Sequence, residues 1–149
     1  MCAMSSTAIN ACDASLWLDD DDGVLQDISG STSILDANFD NELGAYVTFQ
    51  EKWPRRLECG QDATFTVTAV YTTTADEMKD LILTWYFGTR GDRSFTFYLP
   101  DKDVGSDYFK CEVKLENWRI TPSRAEPGAI ALTVVLRPSG AVTHSVTGT

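Results

Sequence analysis

Alternation with a period of two governs most of this chain. Between residues 64 and 72, Phe65, Val67, Ala69 and Tyr71 fall on one side and mostly threonine on the other, the signature of a strand with one buried face. The pattern returns at Phe95, Phe97 and Leu99, and again at Phe109, Cys111, Val113 and Leu115 against Lys110, Glu112, Lys114 and Glu116. In a last run, Ile130, Leu132, Val134 and Leu136 share one face and small or β-branched residues the other, as in a strand covered on both sides. Shorter strands are expected around 15–18, 24–28, 33–38 and 46–50. The fold class is mainly β.

One segment has a different period. Met78, Leu81, Ile82 and Trp85 are spaced i, i+3, i+4, i+7, which predicts a helix over about 74–87 with these four on its core face. Thr74 and Glu77 have the spacing of a capping box, and Gly88 is placed to end the helix in a left-handed conformation. The stretch 51–62, with Trp53, Pro54, Arg55, Arg56 and Glu58, is too charged for a core element and reads as a long loop that contacts another surface. Residues 139–149 are small and polar, and they read as an extended arm. No tandem repeat is visible.

Composition adds a strong asymmetry. The chain has 149 residues, 43% hydrophobic and 23% charged, which suits a single domain over 1–149. Of its formal charge of -10, nearly all lies in residues 1–50, which hold nine acids and no Lys or Arg. That balance argues against a protein that grips nucleic acid through clustered cations, and against anionic membrane surfaces. No run approaches the ~20 apolar residues of a membrane span. The N-terminus has no positive residue ahead of an apolar core, so it does not read as a secretion signal and cytoplasmic synthesis is expected. Cys2, Cys12, Cys59 and Cys111 include no C-x-x-C pair; two disulfides are possible by count, but reduced thiols are expected.

Catalytic and metal chemistry find little support. The run Asp19, Asp20, Asp21, Asp22, Gly23 invites a calcium reading, but Leu18 and Ser29 stand where an EF-hand loop needs carboxylates. A solvated acidic turn is the plainer reading. The single histidine, His144, lies in the polar tail, away from any evident nucleophile. Carboxylate pairs abound without specificity, and no phosphate-binding, dinucleotide or nucleophile-elbow motif is present. Arg90-Gly91-Asp92 reads as an ordinary turn, and Trp17, Trp53, Trp85 and Trp118 are too dispersed for a sugar platform. The expectation is a protein that is not an enzyme, with no catalytic residues, no metal and no cofactor, and with the features of a building block that meets copies of itself.

Residues 81–88 (LILTWYFG), 98–101 (YLPD), 105–108 (GSDY), 111–117 (CEVKLEN) and 136–143 (LRPSGAVT), with 28–32 (ISGST) upstream, form an ordered set of motifs at the helix and beyond. In that order and spacing the sequence resembles the tail tube (major tail) proteins of long-tailed bacteriophages. The resemblance implies an antiparallel β-sandwich or barrel with one flanking helix, an N-terminal arm of about 1–14 and a C-terminal arm of about 139–149. It further implies homohexameric rings stacked into a hollow tube that passes DNA at ejection. Implied partners are further copies, a tape measure protein, and tail tip or terminator proteins, with no membrane; the implied location is the virion tail, after synthesis in the host bacterial cytoplasm. By the same analogy Trp53, Arg55, Arg56 and Glu58 are candidates for contacts between rings, with the arginines meeting the acidic segment of the next ring, and Asp19, Asp20, Asp21 and Asp22 are candidates for lumen lining or ring stacking. The Asp19–Asp22 run aligns with no family motif, and Cys111 stands where a smaller residue is expected. A single-ring terminator or hub, a type VI-like tube and a monomeric carbohydrate-binding β-sandwich are the alternatives.

Overall fold

The computed structural model describes residues 14–50, 52–99, 106–122 and 128–147. In chain order the elements are β1 (Ser15–Asp19), β2 (Leu25–Asp27), β3 (Thr32–Tyr46), β4 (Arg55–Val70), α1 (Met78–Phe87), β5 (Arg93–Leu99), β6 (Asp107–Thr121), β7 (Ala131–Pro138) and β8 (Thr143–Val146). The strands form one sheet in the order β2-β1-β5-β6-β7-β4-β3, with β8 also on β6, and every described ladder is antiparallel.

The sheet has one apolar face, and it curls to bury it. Leu16, Leu18, Phe65, Val67, Phe95, Phe97, Val113, Leu132, Val134 and Leu136 all point inward and are buried. β4 and β5 are separated by two strands, which on a flat sheet means about 14 Å, yet the Phe65 ring lies 5.3 Å from Phe95 and 5.8 Å from Phe97. The alternate positions, including Thr64, Thr66 and Thr68 of β4 and Thr133 of β7, face outward on the polar side.

Helix α1 lies on the apolar side and buries Met78, Leu81, Ile82 and Trp85, the four residues that the period marks. Its ends differ from expectation. The helix starts at Met78 with Glu77 as its N-cap, so Thr74 lies too far upstream to cap it, and the Glu77 carboxylate instead accepts from the Thr72 hydroxyl. Gly88 is not left-handed, with φ -113; it is needed for closeness, because a Cβ there would come within 2.5 Å of the Thr84 carbonyl oxygen.

Two other expectations need correction. The loop placed at 51–62 is shorter: β3 ends at Tyr46, residues 47–50 are not strand, and β4 begins at Arg55, so most of that stretch is paired backbone. Pro54 marks where the strand starts, and the charges of Arg55, Arg56 and Glu58 sit on strand positions that no other layer covers. The C-terminal arm is also not free, since Thr143–Val146 pairs with Asp107–Lys110 and continues the line of β7 along β6. The N-terminal arm, Cys2 and Cys12 lie outside the described residues, apart from Ala14 at the arm's end.

Phe65 is fully buried among Phe39, Phe95 and Phe97. Truncating such a ring removes its transfer energy and leaves a cavity, so Phe65→Ala is expected to cost about 3–5 kcal/mol in urea unfolding.

Candidate assembly interface

β3 and β4 are 15 and 16 residues long and pair along their whole length, but β4 bonds β7 only from Phe65 to Val70. Beyond Phe65 the two strands leave the sheet as a ribbon with no third strand among the described residues. A two-stranded ribbon is marginal by itself in water, and this one exposes Phe39, Leu43, Tyr46, Val47, Phe49, Trp53 and Leu57. Trp53 at the tip is 82% exposed. An extra residue, Cys59, bulges from β4 opposite the Glu42–Leu43 step and exchanges the faces of the outer strand, putting Arg56 and Glu58 on the face of Ala45 and Leu43. The four ring-contact candidates therefore lie together on the outer arm, with Arg55 and Leu57 facing the other way.

The acidic candidates form the β1–β2 turn. One Asp20 carboxylate oxygen accepts from the N–H groups of Asp22 and Val24, both at 2.9 Å, and the other from the Gln26 amide at 3.0 Å. These bonds, Val24's foremost, hold the Asp20 carboxyl below its ordinary range. Gly23 closes the turn with φ 79, a conformation that side chains resist. Asp19 accepts from the Ser94 N–H at 3.1 Å. Arg93, buried beneath, donates to the Leu81 and Asp19 carbonyls and lies 4.9 Å over the Trp85 ring. Burial lowers its pKa, opposed by Asp21, Asp20 and Asp19. Asp20, Asp21 and Asp22 have carboxylate oxygens within 4.8 Å of one another, close enough for one cation, but the turn accounts for the Asp20 oxygens. Asp19 and Asp20 thus act within the fold, while Asp21 and Asp22 are exposed.

The base of the arm holds a feature the sequence reading missed. Where β4 leaves the sheet, a cleft of about 580 Å³ opens between it and the β7–β8 line, walled by Phe39, Phe109 and Val142 on the apolar side and by Asp40, Asp62 and Gln61 on the polar side. Arg137 ties Asp62, Thr64 and Glu116 together at this edge. His144, expected in a loose tail, sits in β8 with its Nε2 2.9 Å from Asp107 and its ring 5.1 Å from Phe109. Only its pairing with β6 through Phe109 and Asp107 could have marked it, and the sequence shows no such signal.

The tryptophans serve separate places. Trp85 is core and donates to the Gly91 carbonyl at 2.8 Å; Trp118 packs edge-on against Tyr86 and Phe87; Trp17 bonds Ser15. Of the two described cysteines, Cys59 is an exposed thiol and Cys111 a buried one.

No family model matches the sequence, and no curated protein matches it. Solved structures do. The chain is similar to the tail of an empty gene transfer agent particle refined with C6 symmetry, at 16% identity over 93% of this chain and 99% of that one, TM-score 0.68. It is similar to the SPP1 tail tube at 14% identity over 95% of this chain and 80% of that one, TM-score 0.73. It is also similar to the tube-terminating cap of the anti-feeding prophage, at 8% identity over 98% and 96% of the two chains, TM-score 0.72. At such identities the likeness is one of fold: an antiparallel, mainly β tail-tube fold with a flanking helix, the class the resemblance implies.

Burial, with Glu112 adding to it, pushes the Cys111 thiol up to about 11 from an ordinary 9.0. Alkylation of the native chain at about pH 8.5 is therefore expected to label Cys59 while leaving Cys111 unmodified until urea is added, as read by peptide mass spectrometry. The sign of the shift also predicts that the thiol's contribution to stability is present below pH 9.0 and lost as the pH rises through about 11.

Proposed function

We propose that this chain is a structural, non-enzymatic subunit of a virion tail tube. Six copies form a ring, rings stack into a hollow tube, and genomic DNA passes through it at ejection. The observation that carries the reading is the β3–β4 arm: a long ribbon, apolar and basic at its tip, that leaves the sheet and buries none of its outer residues against the described chain. Such an arm is stable when a neighbour covers it. The shared fold with tail tubes supports the same reading.

The open face of the sheet fits a conduit. By register it carries Asp36, Asn38, Asp40 and Glu42 of β3, Asp62, Thr64, Thr66 and Thr68 of β4, Lys110, Glu112, Lys114 and Arg119 of β6, and Thr133 and Arg137 of β7, a mainly polar surface on which acids and bases nearly balance. A wall whose cations are matched by neighbouring acids does not grip phosphate, which lets a strand slide. In this reading the sheet face lines the lumen, and the Asp19–Asp22 turn, with Asp21 and Asp22 outward, serves at ring contacts. Tape measure and tip or terminator proteins are the further partners, and the chain is made in the host cytoplasm before joining the virion. A single capping ring is the second reading, favoured by the equal likeness to a tube-terminating cap.

Negative-stain electron microscopy of the purified chain separates the two: long stacked tubes are expected, and isolated rings would favour the cap. Arg55→Glu combined with Arg56→Glu is expected to lower pelletable tube by about tenfold or more, since like charges brought together at a contact cost several kcal/mol.

A further inference from the structure

The cleft at the base of the arm is where the aromatic core reaches solvent. Phe95, Phe97 and Phe109 form a continuous row, with Phe97 and Phe109 stacked at 4.9 Å, and Phe65 joins this row to Phe39. Phe39 and Phe109 also touch, at 5.8 Å, and Phe39 remains 50% exposed at the cleft. Apart from His144, whose ring lies 5.1 Å from Phe109, no described part of the chain covers this end of the row.

We propose that the cleft receives the arm tip of a second copy, with Trp53 laid against Phe39 and Phe109 and Arg56 beside Asp40. The proposal rests on the tube-subunit reading and names the contact that reading requires. The tip combines exposed Val47, Phe49 and Trp53 with Lys52, Arg55 and Arg56, against Glu51 and Glu58, so it is apolar with a small basic excess. The cleft offers the complement: an apolar wall and two carboxylates, with no Lys or Arg among its lining residues. Of those carboxylates, Asp62 is engaged by Arg137 at 3.5 Å, whereas Asp40 meets the Asn38 amide at 3.0 Å and no described cation. The acidic turn is the poorer match. The hollow beside Asp19, Asp20 and Asp21 is lined by no aromatic ring and already contains Arg90 and Arg93, which repel an incoming arginine.

The occupant cannot be the chain's own tip. Residues 55–62, paired to β3 except at the Cys59 bulge, lie between Ala63 at the cleft and Trp53 at the tip, a distance of about 30 Å, and that pairing keeps the ribbon from folding back onto its own base. Each copy then gives one arm and takes one, through two different surfaces. Head-to-tail contacts of this sort generate closed rings or open stacks rather than a two-fold dimer.

The test uses the full chain and scores pelletable assembly beside negative-stain images. Arg56→Asp and Asp40→Arg alone are each expected to lower assembly about tenfold, and the double variant to return it to within about twofold of the starting chain. Circular dichroism and melting midpoints check that each variant is folded, and Asp40→Asn, a milder change, is expected to give an intermediate loss. In hydrogen exchange, the amides around Ala141 and His144 should become protected on assembly. A double variant as poor as the singles overturns the proposal, as does rescue of Arg56→Asp by Asp21→Arg with Asp22→Arg. Cleft amides already protected in the unassembled chain would mean that a segment of the same chain covers it, which also overturns the proposal. A starting chain that forms no assembly at all removes the tube reading itself; tubes that form but ignore the charge swap remove only this contact.

Discussion

Phe65 holds the point on which the rest of the molecule depends. It is the last residue of β4 that pairs with β7, and its ring meets β5 on one side and β3 on the other. On one side of this ring β4 is an inner strand with both edges bonded; on the other it is half of a projecting ribbon. The same contact draws the two halves of the curled sheet together, so the core, the arm and the cleft are set by one aromatic junction. Bringing apolar faces from distant strands into contact is what an antiparallel sheet with one oily side must do to remove it from water.

That constraint leaves the polar side open. No described helix or strand packs on it, because α1 lies on the apolar side. Its surface is threonine and charge, the residues that make a strand soluble without weakening its pairing. The arrangement divides the sheet: one side makes a stable core, the other stays a hydrated polar face, and the edge between them carries the arm.

Much of this was legible in the sequence. The helix face at Met78, Leu81, Ile82 and Trp85 and the inward sets of β4, β5, β6 and β7 follow from periodicity, because burial alone selects those positions. The helix ends were not, since Glu77 turns to Thr72 and Gly88 answers to a backbone clash rather than to φ. Residues 55–62 resembled a loop because Cys59 interrupts the alternation and an unaccompanied ribbon has no buried face to reveal. A similar slip in β6, where Glu116 is the extra residue, turns Trp118 and Ile120 toward the core side instead of Asn117 and Arg119. The tail read as loose because β8, Thr-His-Ser-Val, carries no alternating hydrophobic signal, and its pairing to β6 is a long-range matter. The cleft is invisible to any local pattern, being made by two strands that diverge.

The bulge at Cys59 has a consequence of its own. In a ladder with a two-residue period, one added residue is a half-turn of phase, so the outer arm and the core keep independent settings. Because the bulge takes up the extra residue, Glu58, Leu57 and Arg56 stay opposite Leu43, Gly44 and Ala45, and a one-residue change of length there shifts the phase of the sequence pattern without moving an inward side chain of the sheet. The length of β4 can therefore vary at this one site, while the pairing on either side of it goes on unaltered.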